Sequence, residues 1–578
     1  MSDWNSRGKD DAPANTVQRI KAIIDKLNIG VPNETFFNQF DHFYSVQIDL
    51  GCASANGKGV SKALALASGY AELMERLQNK RLSTMLPWFD EYYYNRVQKH
   101  ICTSSLVGTS KYVDELILKL VNSAIEVWEG FNTAQEKVLE LVREYGTENQ
   151  YVLLPFRSLK TKREEYLPVD FLQLFTGTNG MAAGNTIEEA IVQGTCEILE
   201  RYAAIEILTK RLTPPEIPKQ FLGKDNNTAT IIAEIEKNDK YRIAVYDASL
   251  GKNIPCVMCV IHNLEVQTVG VKFGAYPNMS IAIERCFTEA LQGQSLDSFS
   301  TSGRLFFGKH TRASWSNIHN ILKVSYGSYP ADIFFGKPDW MFESWQFNNS
   351  SRNSDRVEAL EKILESLGSE LFILDNSFLG FPAVYLYAPG VSEISPVDYL
   401  WLQEATLNKK VQQIFTHLSD LSKTDLESLK LYALLKRKSY LDNTLSQIAK
   451  NLNIYYKHDV KNEMAFLASL CAYQLNDLPE SIEILRVMQH TPYTNGVFVY
   501  LSAKSNGLSQ TESETLLKKM LPADVAVNIL EDFSVNTDVI NRVINYCSYK
   551  CGNCSKDCPQ KNVSNVYTKL LNEEISYR

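Results

Sequence analysis

Hydrophobic and polar positions follow two different rhythms along this chain. Up to about Ala388, short runs rich in Val, Ile, Tyr and Phe are bounded by turn residues: FYSVQIDL, YVLLPF, YRIAVYDAS, IPCVMCVIH and PAVYLYAP. Such runs predict strands. Between them, amphipathic stretches at Val17–Leu27, Ser61–Leu82, Thr186–Thr209, Ile281–Leu296 and Arg356–Leu367 predict helices. The mixture predicts an α/β (α+β) domain with a central sheet over residues 1–395. From about Pro396 the strand pattern stops. Leu400–Lys450 and Glu463–Leu485 read as successive helices with short polar breaks. The piece AFLASLCAYQLNDLPESIEIL breaks at Asn476-Asp477 and resumes, which predicts tetratricopeptide-like helices over 396–545, against the plainer reading of an ordinary helical bundle. The segment QFNNSSRNSD, 346–355, reads as a surface loop of the first domain. Residues 546–578 stand apart as a Cys-rich tail.

One helix carries an unusual face. In GNTIEEAIVQGTCEILERY, with Asn185 as a plausible cap, Ile187, Ile191, Gly194, Ile198 and Tyr202 form an apolar stripe. Gln193, Glu197, Glu200 and Arg201 share another arc. The pattern E-x-x-E-R recurs as Glu72-x-x-Glu75-Arg76, and Ser68, Glu72 and Glu75 repeat the spacing of Gln193, Glu197 and Glu200. A third helix offers Glu284, Arg285, Glu289 and Gln292. The bland reading of each helix is a solvated charged side. That reading does not account for the same acidic spacing twice. If the two helices pack side by side, four carboxylates face one another and demand a cation or protons. Mg2+ is usually held by one or two carboxylates plus substrate phosphates. The pattern therefore points to a Mg2+ site at Glu72, Glu75, Glu197 and Glu200 that presents a nucleoside triphosphate, with Arg201 and Arg285 placed to fork phosphate oxygens.

The familiar phosphate loops are absent. GCASANGKGV has five residues between Gly51 and Gly57, and Gly59 stands where a P-loop needs Ser or Thr. Its GKG reads as a turn into the Ser61 helix, with Lys58 a weak phosphate candidate. TNGMAAGN, 178–185, is a second Gly-rich approach to a helix start.

Composition narrows the class further. The chain has 578 residues, too many for one core, with 44% apolar and 22% charged residues, as in soluble globular proteins. A net charge of −8 gives no footprint for direct nucleic-acid binding. The N-terminus has no apolar signal core, and no apolar run reaches membrane-spanning length, so a cytoplasmic location is expected. Of the 11 cysteines, seven are scattered in apolar settings, as at Cys196, Cys286 and Cys471, and read as reduced core thiols. Cys256 and Cys259 read as core because i and i+3 on a strand face opposite sides. The other four, Cys547, Cys551, Cys554 and Cys558, crowd NYCSYKCGNCSKDCPQKN. That spacing suits a tetrahedral Zn2+ site and also echoes an iron–sulfur loop, with redox-active or free thiols as the alternative.

Three blocks together resemble the signature motifs of the YcaO family: NGKGVSKALALASGYAELMERL, NGMAAGNTIEEAIVQGTCEILERY and FGAYPNMSIAIERCFTEALQGQ. The resemblance spans roughly Met1–Val397 and includes the N-terminal GKDDAPANT; the helical C-terminal region resembles that of stand-alone bacterial members. It implies an ATP-binding fold unrelated to P-loop enzymes, usually a homodimer. By motif it implies ATP contacts at Lys9, Thr16, Ser68, Glu72, Glu75, Asn185, Gln193, Glu197, Glu200, Arg201 and Arg285. Threonine at position 16 keeps the hydroxyl of the family's serine. The third block here ends Gln292-Gly293-Gln294 where the family has Q-G-R, which removes a cation. The chain ends LLNEEISYR, without the proline-rich tail of cyclodehydratases.

Peptide-modifying members phosphorylate a backbone amide oxygen, with Mg2+ and arginine stabilising the transferring group. No Cys-His or Ser-His pair is recognisable here, so the nucleophile would come from a substrate or partner. A stand-alone member is described as an accessory factor for a methylthiotransferase that modifies a small-subunit ribosomal protein. The resemblance thus implies such an ATP/Mg2+ accessory factor, partnered by the methylthiotransferase or its ribosomal protein through the helical domain. The alternatives are a cyclodehydratase or thioamide synthetase acting on a peptide backbone, and a scaffold with a vestigial nucleotide site.

Overall fold

The structure is a computed structural model. It describes residues 7–40, 43–82, 153–222, 226–308, 315–344, 352–395, 455–534, 538–545 and 559–578, and residues 406–437 in part. The Cys547, Cys551, Cys554 and Cys558 cluster lies outside the described residues, as do much of the 346–355 segment and residues 438–450 of the expected helical run.

Among the described residues, three sheets build the N-terminal part. Strands β1 (Asn33–Phe40), β2 (Phe43–Asp49) and β3 (Ser54–Gly59) form an antiparallel sheet in that order. Strands β4 (Leu153–Ser158), β5 (Glu164–Pro168), β6 (Met181–Ala183), β12 (Phe372–Asp375) and β13 (Ala383–Tyr387) form a second, in the order β5-β4-β12-β13-β6. Strands β7 (Tyr241–Asp247), β8 (Cys256–Asn263), β9 (Thr268–Ala275), β10 (Gly303–Phe306) and β11 (Gly327–Pro330) form a third, ordered β11-β10-β9-β8-β7, in which only β10 and β11 run parallel. The five expected strands all appear. The GKG segment, expected as a turn, is instead the end of β3, with Lys58 opposite Ser45 of β2. Its glycines serve contact rather than turning: a Cβ on Gly57 would lie 2.1 Å from the carbonyl oxygen of Ala65.

The helices that matter here are α1 (Pro13–Leu27), α2 (Lys62–Gln78), α3 (Ile187–Lys210), α4 (Met279–Ala290) and α5 (Asn353–Ser366). Ser61 caps α2 by accepting from the Leu64 N–H, and Asn278 caps α4 by accepting from the Ile281 N–H. Helix α3 is buried almost all round. The apolar stripe from Ile191 through Gly194 to Ile198 lies inward, and Cys196, Glu200 and Glu206 are buried as well. A solvated charged side therefore does not describe this helix.

Two apolar cores meet in this part. One is built on α3, α4, α5 and the β7–β11 sheet; the other joins α1, α2 and the remaining two sheets. Six cysteines, Cys52, Cys196, Cys256, Cys259, Cys286 and Cys471, are free and buried, as expected of core thiols.

A third core holds the helical region: α6 (Lys423–Arg437), α7 (Glu463–Gln474), α8 (Leu478–Arg486), α9 (Pro492–Ser505), α10 (Gln510–Met520) and α11 (Ala523–Asp532). Each of these packs on the next in sequence, except that α11 also packs on α9. The break between α7 and α8 falls at Asn476, which takes a left-handed φ of 62°. The last helix, α12 (Pro559–Tyr577), returns to the N-terminal part. Its Val566, Tyr567, Leu570 and Leu571 join the core of α1 and α2. Lys569 donates to the carbonyls of Leu27 and Asn28 at the end of α1, and the fully buried Glu574 pairs with Lys80 at 2.8 Å and Arg578 at 2.9 Å. Among the described residues no helix is long and apolar enough to cross a membrane.

Candidate functional site

The three acidic helices converge where the two N-terminal cores meet. Helices α2 and α3 both rest on β6, and α3 and α4 both rest on β9. The helices thus approach across shared strands. Close approach at α4 depends on Gly274 of β9, where a Cβ would lie 2.6 Å from the carbonyl oxygen of Ala282.

This arrangement sets Glu75 near Glu72 and Glu197, and Glu289 near Glu197 and Glu200, without closing the four expected carboxylates into one cluster. Glu75 is pushed well above its ordinary value by burial, by its neighbour Glu72 and by Glu197 from α3. Glu72 itself is held by Arg76 at 3.0 Å. Burial also raises Glu197, with Glu289 adding to it and Arg201 opposing. Glu200 rises to about 7, from burial and then the charge of Glu289. Glu289 goes the other way. Burial opposes its ionisation, but Lys58, Lys272 and Arg285 outweigh that and hold it well below the usual carboxylate range. Lys58 reaches Glu289 at 2.5 Å and Lys272 at 3.2 Å. A proton held by the pair therefore favours Glu200, and the negative charge favours Glu289.

The remaining expected residues divide. Ser68 and Gln193 are part-buried, one turn before Glu72 and Glu197 on their helices. Asn185, expected as the α3 cap, is displaced from that role by Thr186, whose hydroxyl accepts from the Glu189 N–H. Asn185 instead donates to Glu189 at 3.0 Å and accepts from the Thr16 hydroxyl at 2.7 Å. Lys9 pairs with the buried Glu189 at 3.1 Å. The Arg201 guanidinium donates to the Leu322 carbonyl, so its fork is partly used within the fold. Arg285 stacks against the Tyr276 ring at 5.8 Å and feels both Glu289 and Glu200. Gln294, where the family has arginine, turns back to donate to the Ala290 carbonyl at 3.0 Å. Lys58 serves Glu289 rather than standing free for phosphate.

Sequence reading left Glu289, Lys272 and Glu189 unassigned. A lysine in the otherwise apolar strand VGVKFGA and a Glu one turn after Arg285 were the available signals.

Among the described residues no three Asp, Glu, His or Cys side chains close on a metal position. Carboxylate oxygens are nonetheless the hard donors that Mg2+ takes, usually one or two per ion beside phosphates and water. Buried carboxylates whose ionisation is disfavoured are the donors such a cation would stabilise in the charged form. The residues present therefore fit Mg2+.

A family profile described as YcaO cyclodehydratase, ATP- and Mg2+-binding, matches residues 56–392. The Escherichia coli protein named ribosomal protein S12 methylthiotransferase accessory factor YcaO is 28% identical over 415 residues, 71% of this chain and 70% of that one. An uncharacterised Haemophilus influenzae protein is 28% identical over 407 residues, 68% of this chain and 67% of its own. Among solved structures, YcaO from Methanopyrus kandleri bound with AMPPCP and Mg2+ is 17% identical with a TM-score of 0.41, covering 68% of this chain and 93% of that one. A heterocyclase in complex with substrate and cofactor is 18% identical with a TM-score of 0.44, covering 67% of this chain and 53% of that one. With more than half of its length matched by the family profile, this chain belongs to the YcaO family.

Proposed function

We propose that this protein binds Mg·ATP between α2, α3 and α4 and acts as an accessory factor in β-methylthiolation of a small-subunit ribosomal protein. The observation that carries the nucleotide half is the buried acid set, in which Glu75, Glu197 and Glu200 are all raised while Glu289 is kept ionised by three cations. Glu72, Glu75, Glu197, Glu200 and Glu289 would share the Mg2+, with one or two carboxylates per ion. Bound there, Mg2+ would neutralise charge on the phosphate chain. Arg285 and Arg201 would contribute hydrogen-bond donors to phosphate oxygens, and Asn185 and Thr16 would order the approach to α3. The accessory role is supported by the name of the Escherichia coli relative. The α6–α11 helices would present a tetratricopeptide-like surface to the methylthiotransferase or its substrate in the cytoplasm, and the working unit would be a homodimer.

Calorimetric titration with Mg·ATP tests the first half: Glu197→Ala and Glu200→Ala should abolish binding, and unaltered binding contradicts the site. Mass spectrometry of the ribosomal protein from cells lacking this gene tests the second half. Loss of the methylthio group is expected, and full modification rejects the role. The cyclodehydratase description of the family favours one further reading, ATP-dependent activation of a peptide amide oxygen. ATP consumption that requires an added peptide would support it.

A further inference from the structure

Two arginines lie against one aromatic ring beside the acid set, and among the described residues only one of them is answered by carboxylates. The guanidinium carbons of Arg285 and Arg356 each lie 5.8 Å from the centre of the Tyr276 ring, so they stand within twice that distance of each other. Arg285 feels the charges of Glu289 and Glu200. Arg356, in the first turn of α5, is 9% exposed and makes no ion pair with any described carboxylate. Its hydrogen bond is to a neutral amide, Asn353 Oδ1, at 2.7 Å.

Glu284 is taken by Arg7 and Glu189 by Lys9. Asp10 accepts from Thr186 and Asn353, so its carboxylate meets Arg356 only through the Asn353 amide.

The approach to Arg356 is kept thin by Gly8, at a φ of +74°. A Cβ there would lie 1.9 Å from the Tyr276 hydroxyl oxygen and 2.7 Å from Arg356 Nη1. Asn353 also donates to the Gly8 carbonyl, so the N-terminal arm and the guanidinium are fixed in one frame. A buried cation costs several kcal/mol unless an opposite charge answers it, so the frame holds a cation in wait for an anion.

We propose that Arg356 is a second phosphate-binding arginine of the nucleotide site, gripping the phosphate chain beside Tyr276 together with Arg285. The inference rests on the Mg·ATP reading above. The test is nucleotide binding by Arg356→Gln and Arg356→Lys, with Mg·ATP followed by calorimetry and adenosine by ligand-detected NMR. Arg356→Gln should weaken Mg·ATP about tenfold to a hundredfold, the worth of one charge-assisted hydrogen bond, and leave adenosine unchanged. Arg356→Lys should recover part of the loss. Equal weakening of Mg·ATP and adenosine would mean that Arg356 only braces the N-terminal arm, and would overturn the inference. So would unaltered Mg·ATP binding in either variant. Should Arg356→Gln fail to fold, the Lys variant decides, because lysine keeps the charge but loses the fork: parent-like Mg·ATP affinity then rejects the inference. A parent protein that binds no Mg·ATP would instead sink the functional reading, and this inference with it.

Discussion

Replacing Glu200 by glutamine removes a carboxyl that is 6% exposed and raised from 4.5 to about 7, by burial and then by the charge of Glu289. In the unfolded chain the same group ionises near its ordinary value. Between those two values the unfolded chain sheds this proton while the folded chain keeps it. The stability contributed by the group is therefore complete below about pH 4.5 and is lost as the pH rises through about 7. At about 1.4 kcal/mol per tenfold change in proton affinity, the loss reaches about 3 kcal/mol in alkaline buffer. Glutamine has nearly the same size and cannot ionise. In EDTA, Glu200→Gln is expected to match the parent near pH 4 and to exceed it by about 3 kcal/mol near pH 8.5. Saturating Mg·ATP should shrink that gap, because a bound cation favours the ionised carboxyl of the parent alone. Urea unfolding followed by tryptophan fluorescence measures both conditions. A difference between parent and variant that is the same at both pH values would refute the burial argument.

Three other perturbations probe the same architecture. Gly274→Ala places a Cβ 2.6 Å from the Ala282 carbonyl oxygen and 2.7 Å from Cys286 Sγ, so α4 must move off β9. A cost of about 1–3 kcal/mol in thermal unfolding, with weaker Mg·ATP binding, is expected; parent-like values in both would show that the contact is slack. Lys58→Met and Lys272→Met each strip a cation from Glu289, so its carboxyl rises; Mg·ATP affinity should fall more near pH 6 than near pH 8, and a pH-independent loss would count against this assignment. Lys80→Met removes one of the cations that pair with the buried Glu574 and should cost about 3–5 kcal/mol in urea unfolding. Adding Glu574→Leu should return most of that, whereas a single-variant cost under about 1 kcal/mol would show that water reaches the pair.

The legible parts of this chain were those whose pattern is local. Strands β7, β8 and β13 announce themselves as apolar runs, and they are buried along most of their length. Helix α3 declares its stripe through Ile191, Gly194 and Ile198, and the repeated E-x-x-E-R spacing brought Glu75 and Glu197 within electrostatic reach of each other. What stayed hidden depends on distant partners. SANGKG has the composition of a turn, yet six cross-strand pairings with β2 make it a strand, and its glycines exist to admit α2. Asn185 looked like the cap because it precedes the helix, but a bond from Thr16 claims its oxygen and leaves the capping to Thr186. Glu289 was visible as a residue but not as a site member. Its role requires Lys58 from β3 and Lys272 from β9, which no spacing in the chain brings together.

The return of α12 ties two distant stretches of the chain into one folding unit. Val566, Tyr567, Leu570 and Leu571 share a core with Ile20, Ile24 and Leu73 of α1 and α2. During synthesis that core is completed only after the helical region between them has been made, so the N-terminal part does not finish folding as an independent unit.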